Sequence, residues 1–76
     1  MIVEGFEFNV IIGAKDTIEK YKPSLMIEIQ KNENEIISYF LSIGYNIFND
    51  NWVKISSFDD YLKFKTPNIF FLNKCD

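Results

Sequence analysis

The chain has 76 residues, of which 47% are hydrophobic, 17% aromatic and 25% charged, and a formal net charge of −3. Its basic residues are scattered lysines, so it lacks the patch that neutralises nucleic-acid phosphates or tethers a protein to a membrane surface. With no His and one cysteine, Cys75, it has neither an internal disulfide nor a tetrahedral zinc site.

No apolar run approaches the ~20 residues that span a bilayer, and no basic segment leads into an apolar stretch at the start. A cytoplasmic, reducing setting is the expectation. Eight Phe, four Tyr and one Trp argue against disorder. A chain this short buries only ~60% of the surface its unfolded form exposes. Residues 1–76 therefore read as one small domain, continuous and without linker or repeat.

Residues 6 to 21 carry apolar side chains at Phe6, Val10, Ile11, Ala14, Ile18 and Tyr21. That spacing of three and four is one stripe of an α-helix. Pro23 ends it, because proline lacks an amide hydrogen and disfavours the helical conformation of Lys22 before it. Gly13 falls inside this helix, where glycine costs ~1 kcal/mol relative to alanine, and is expected to permit close packing of helix on sheet.

Leu25, Met26, Ile27 and Ile29 follow nearly without interruption. A run apolar on both faces predicts a central strand covered on both sides, as in a parallel α/β sheet. Asn32 is an expected N-cap, with Glu35 three residues on as a capping-box partner. Ile36, Ile37, Phe40 and Leu41 form the stripe of this second helix, closed by Gly44. Tyr45 to Phe48 and Trp52 to Ile55 flank Asn49-Asp50-Asn51, a tight turn. Ser57 to Lys65 suggests a short helix with Asp59 and Asp60 in its first turn. Pro67 precedes a last strand, Ile69 to Leu72. The order is α/β. The strand at residues 25 to 29 looks built for a larger sheet than 76 residues supply. Trp52 and the phenylalanines are expected in the core, since no basic groups surround them to make a base-stacking platform. Cys75 has only Lys74 beside it to lower its pKa, so it is not read as a nucleophile.

Five short blocks fall in a fixed order: Val3-Glu4-Gly5, then Glu7, then Ile12-Gly13-Ala14, then Tyr21-Lys22-Pro23, then Met26-Ile27-Glu28-Ile29. This pattern resembles the FkbM-type methyltransferases in the C-terminal part of their domain. It is most specific over residues 3 to 30, with looser agreement at Ile43-Gly44-Tyr45 and after Pro67-Asn68. Ile2 stands where the family carries Asp. The resemblance implies the C-terminal half of a Rossmann-like methyltransferase sheet with an antiparallel last strand. It implies S-adenosylmethionine as cofactor of the complete domain, with O-methyl transfer to a small molecule or sugar hydroxyl.

The elements that hold the donor, a glycine-rich turn and an acidic residue at the next strand end, belong to the N-terminal half. The chain has three glycines and no Gly-x-Gly. No cofactor-binding residue is therefore assigned, and a fragment inactive alone is expected. Glu4 and Glu28 are the catalytic candidates. Glu4 either orients a substrate hydroxyl or, with Glu7, favours a helix N-terminus beyond the turn at Gly5. Glu28, a lone charge in an apolar strand, either faces the cleft or is solvated at the sheet edge. The rival reading is a non-enzymatic interaction module. It would pair through an open sheet edge with a separate N-terminal half, with another protein, or with itself.

Overall fold

A computed structural model describes residues 2–4 and 8–72 of the chain, with side chains from Ile11 to Leu72. The elements in chain order are β1 (Ile2–Glu4), α1 (Phe8–Gly13), α2 (Lys15–Tyr21), β2 (Leu25–Glu28), α3 (Glu33–Ser42), β3 (Asn46–Phe48), β4 (Lys54–Ile55), α4 (Phe58–Phe64) and β5 (Asn68–Leu72). The strands form one mixed sheet in the order β1-β2-β5-β3-β4. β1 and β2 are parallel, whereas β5 runs antiparallel to both β2 and β3, and β3 and β4 make an antiparallel pair. Among the described residues no helix is long and apolar enough to cross a membrane.

Strand alternation decides where the core lies. Leu25 and Ile27 of β2, Ile69 and Phe71 of β5, Ile47 of β3 and Ile55 of β4 are all buried, and they join Ile11, Ile18, Ile36, Ile37, Phe40 and Tyr61 from the helices in one cluster. Phe40 sits at its centre, with ring centroids 4.5 Å from Phe71 and 5.0 Å from Tyr45. Truncating a buried phenylalanine to alanine costs about 3–5 kcal/mol, a large share of the stability of so small a chain.

The expected single helix over residues 6 to 21 is two helices. Ala14 adopts φ −102°, ψ 10°, and its amide bonds the Ile11 carbonyl at 3.1 Å in a tighter turn. The change of direction leaves Ile11 and Ile18 buried but turns Tyr21 out to 67% exposure, so Tyr21 is not part of the apolar stripe. Phe6 lies outside the described residues. Lys22 closes α2 in the left-handed conformation (φ 48°), outside the right-handed helical region that Pro23 disfavours for it. Its Nζ donates to the Ile43 carbonyl at 2.8 Å, and the Tyr45 hydroxyl donates to the Pro23 carbonyl at 2.7 Å. These two bonds lock the entry to β2 against the end of α3.

Gly13 corrects a second expectation. It is exposed at the end of α1, and a Cβ there would meet nothing within 4 Å. It mediates no close helix–sheet approach.

α3 buries Ile36, Ile37 and Phe40 as its spacing requires. Asn32, however, enters it with φ 58° and makes no side-chain cap; a capping side chain reaches the first-turn amides from extended backbone rather than left-handed backbone, so the capping box does not form. Gly44 ends the helix at φ +90°, the conformation that favours glycine after a helix. Ser57 caps α4 as its sequence suggests, its Oγ accepting from the Asp60 amide at 3.2 Å.

The β3–β4 turn is organised by one buried polar side chain. Asn49 is 3% exposed. Its Oδ1 accepts from the amides of Asn51 (2.8 Å) and Val53 (2.9 Å), and its Nδ2 donates to the Phe64 carbonyl at 2.8 Å. Each polar atom of the amide is used, which is what burial demands.

β2 is not covered on both sides. Its burial alternates, with Leu25 and Ile27 buried and Met26 and Glu28 half-buried, because the buried helical residues all meet the face that carries Leu25 and Ile27. Trp52 likewise is not in the core. It is 58% exposed, with φ 62°, and its indole stacks on Phe70 with centroids 4.8 Å apart. Phe70 alternates with the buried Ile69 and Phe71, so the indole lies over the second face of the sheet.

Candidate functional site

In open sheets that contain parallel strands, ligands bind outside the carboxyl ends of those strands. Here that end is defined by β1 and β2, and the register brings the two catalytic candidates together: Glu4 pairs with Glu28, following Ile2 with Met26 and Val3 with Ile27. Neighbouring strands lie about 4.8 Å apart, so two glutamates 24 positions apart in sequence occupy adjacent strand ends. Glu28 accepts a hydrogen bond from Gln30, whose Nε2 lies 3.3 Å from its Oε1. Asn68 of β5 is its register partner on the other side. Glu28 is therefore neither interior nor at a sheet edge: it is half-buried on the second strand of five.

Next to this end, the loop after β2, the start of α3 and the end of α4 enclose a cleft of about 300 Å³ lined by Ile29, Glu33, Tyr61, Lys65, Thr66 and Pro67. The Tyr61 hydroxyl donates to Glu33 Oε2 at 2.8 Å, and Lys65 Nζ approaches the same oxygen at 3.5 Å. Tyr61 is 2% exposed. Burial first, and then its bond to the Glu33 carboxylate, push its pKa well above the usual tyrosine value. It thus stays a neutral donor, tying α4 to α3, while Lys65 is a half-exposed charge lining the cleft. Thr66 is committed structurally, its Oγ1 donating to the Asn68 carbonyl at 2.8 Å and accepting from the Asp50 amide at 2.9 Å. Sequence reasoning missed Glu33, Tyr61 and Lys65. The only local signal was the Tyr61–Lys65 spacing of four, which places two residues on one helix face.

The motif residues disperse. Val3 and Glu4 lie on β1, Gly13 ends α1 and Pro23 leads into β2. Gly5 and Glu7 fall outside the described residues, as does Cys75 with Lys74 beside it. Among the described residues no cluster of three metal-ligating side chains occurs.

The Methyltransferase FkbM domain matches residues 3–64, most of the chain and every described element but β5. The chain belongs to the FkbM methyltransferase family. Neither a curated protein nor a solved structure matches it significantly. A methyltransferase of this family implies S-adenosylmethionine for the full domain. Of the described glycines, Gly13 and Gly44 each end a helix, and neither forms the strand-to-helix turn through which a backbone approaches a nucleotide; Gly5, between β1 and α1, lies outside the described residues. In this FkbM chain the described parallel pairing is β1 with β2.

Proposed function

We propose that these residues form the C-terminal portion of an S-adenosylmethionine-dependent O-methyltransferase domain with a Rossmann-like sheet, and that they supply its acceptor side. The observation that carries this reading is the pairing of Glu4 with Glu28 at the carboxyl ends of two parallel strands. The acceptor is a small molecule or sugar with a reactive hydroxyl. Glu28, with Glu4 beside it, orients that hydroxyl and takes its proton, work for which a carboxylate within hydrogen-bond reach is suited. The donor is held by the N-terminal portion of the domain, in the same polypeptide or a separate one. Alone, this chain does not bind it.

Calorimetry with S-adenosylmethionine tests the placement: no heat of binding is expected from this chain, and a stoichiometric micromolar response would overturn the reading. Combined with the N-terminal portion of an FkbM-type domain, the chain is expected to restore donor binding and transfer. Glu28→Gln should then lower turnover by roughly 10²-fold, the scale of a lost general base; unchanged turnover removes Glu28 from the mechanism. The second reading, a non-enzymatic interaction module, draws on the uncovered sheet face. It gains ground if such a complex forms yet binds no donor.

A further inference from the structure

The cleft bounded by the loop after β2, the start of α3 and the end of α4 lies on a different side of the sheet from Glu28. Ile29 packs against the helix-side core, whereas Glu28, one residue earlier, alternates to the other face with Met26. Glu28 is accordingly not among the residues that line the cleft. At about 300 Å³ the cleft sits at the bottom of the range of ligand pockets, roughly 300–1,000 Å³. It has room for one small ring rather than a nucleotide-sized cofactor. Its lining groups differ in what they have left to offer. Thr66 Oγ1 is committed to the Asn68 carbonyl and the Asp50 amide, and the buried Tyr61 hydroxyl gives its proton to Glu33. Both described bonds of Glu33 end on Oε2, so among the described residues its Oε1 has no donor. Lys65 Nζ approaches Glu33 only at 3.5 Å and lies 5.9 Å from the centre of the Tyr61 ring, which leaves most of its three donors open. Both side chains keep solvent access, 49% for Lys65 and 31% for Glu33. Ile29 and Pro67 add apolar walls. The cleft thus presents an open acceptor and an open donor side by side, without net charge, next to an apolar surface.

We propose that this cleft binds a neutral vicinal diol on a saturated ring, the chemistry of a saccharide, through Glu33 and Lys65. One hydroxyl donates to Glu33 Oε1, its neighbour accepts from Lys65 Nζ, and the C–H surface of the ring lies against Ile29 and Pro67. Both hydrogen bonds are charge-assisted, and neither requires the Glu33–Lys65 pair to separate. Other ligand classes fit less well. A lone anion drawn to Lys65 meets the Glu33 carboxylate, and a lone cation drawn to Glu33 meets the Lys65 ammonium. A zwitterion has to part the two side chains to reach both. A wholly apolar ligand strips water from two charges and gives no hydrogen bond in return. The role of the site rests on the methyltransferase reading. There the diol belongs to a part of the acceptor that does not itself react, since Glu28 works from the other face of the sheet. Binding energy from such a remote group serves to place the reacting hydroxyl.

The experiment titrates the intact 76-residue chain with methyl α-mannoside and follows its amide resonances by NMR. Saturable shifts at Glu33, Lys65 and Thr66 are expected, with a dissociation constant on the order of 1 mM, the scale of two hydrogen bonds to charged groups in an open cleft. Cyclohexanol, which offers a ring with a single hydroxyl, should bind at least tenfold more weakly, and glycine and inorganic phosphate should leave these amides unmoved. Glu33→Gln and Lys65→Met should each weaken mannoside binding roughly tenfold, as the loss of one charge-assisted bond does. Glutamine still offers the Tyr61 hydroxyl an acceptor, and circular dichroism checks the fold of both variants; if Glu33→Gln does not fold, Lys65→Met decides alone. No saturable shift with the mannoside, equal binding of cyclohexanol, or parental affinity in a folded variant each overturn the site. A stronger response to glycine or to phosphate overturns it too, replacing the diol by a zwitterion or an anion. None of these results touches the methyltransferase reading, which stands or falls on donor binding and transfer with the N-terminal portion. A mannoside response that persists when that reconstitution yields no transfer keeps the site and removes its role in methylation.

Discussion

Asn49 concentrates more of the fold in one side chain than its size suggests, and removing its amide gives the sharpest stability test. Asn49→Ala deletes three hydrogen bonds of 2.8–2.9 Å, two that shape the β3–β4 turn and one that ties the turn to the last residue of α4. Each is worth about 1 kcal/mol net. The amides of Asn51 and Val53 belong to exposed residues and regain water, so part of their loss is recovered. The Phe64 carbonyl loses its donor outright. The sum is about 2–3 kcal/mol, against a total of roughly 4–11 kcal/mol for a chain of this size. Urea unfolding followed by Trp52 fluorescence and by circular dichroism measures it. Trp52 lies three residues from Asn49 and gives its amide to the Asn49 carbonyl at 3.0 Å, so its emission also reports whether the turn frays before the sheet. Asn49→Asp is the control: it keeps the two accepted bonds but sets a carboxylate against the Phe64 carbonyl. It should therefore be destabilised at pH 7 and recover in part when acid protonates it. A loss below about 0.5 kcal/mol for Asn49→Ala, the scale of an ordinary surface substitution, refutes the assignment.

The other expectations are of opposite signs by design. Gly44→Ala should cost about 1 kcal/mol, because φ is +90° and the strain is in the backbone rather than in any neighbour. Gly13→Ala should stabilise by up to ~1 kcal/mol, since it ends a helix in open space; thermal melts of the two separate the effects. Tyr61→Phe should cost about 1.5 kcal/mol in urea unfolding, the lower end for a bond to a charged acceptor, because Glu33 is partly exposed. Alkaline pH offers a further check. Burial first, and then the bond to Glu19, push Tyr39 up to about 12, and Tyr61 is raised by burial and by Glu33. A raised folded-state pKa contributes stability that is whole below the ordinary value of 10 and is lost as pH climbs past it. Stability should therefore hold to pH 10 and fall from there towards 12, less steeply in a Tyr39→Phe, Tyr61→Phe double variant.

Local chemistry in the sequence foretells much of this architecture. Ser57, Gly44 and Pro23 mark element ends where each ends or begins, because caps, left-handed glycines and proline act over three or four residues. The stripe Ile36, Ile37, Phe40 works because a helix of three turns averages over its surroundings. Failures occur where a distant element decides. Leu25-Met26-Ile27 is apolar on both faces, but only the side on which the helices lie is filled. Trp52 looks like core by composition, yet the turn at Asn49 swings it onto the far side. Ala14 breaks a helix whose stripe gives no sign of a break. The meeting of Glu4 with Glu28 depends on a register between strands twenty residues apart, and Glu33, Tyr61 and Lys65 converge from two helices separated by a hairpin. No periodicity carries such pairings.

β5 is last in sequence but third of five in the sheet, between β2 and β3. Its neighbours arrive early: β1 with β2 is a pairing of the first 28 residues, and β3 with β4 is a hairpin. Nothing joins these two assemblies edge to edge until Asn68–Leu72 slides between them. On the ribosome these five strands therefore cannot join until β5 has left the tunnel, and Ile69 and Phe71 enter a space between the two assemblies. A chain that stopped before Asn68 would leave two half-sheets with facing unpaired edges, a species suited to aggregation rather than to folding.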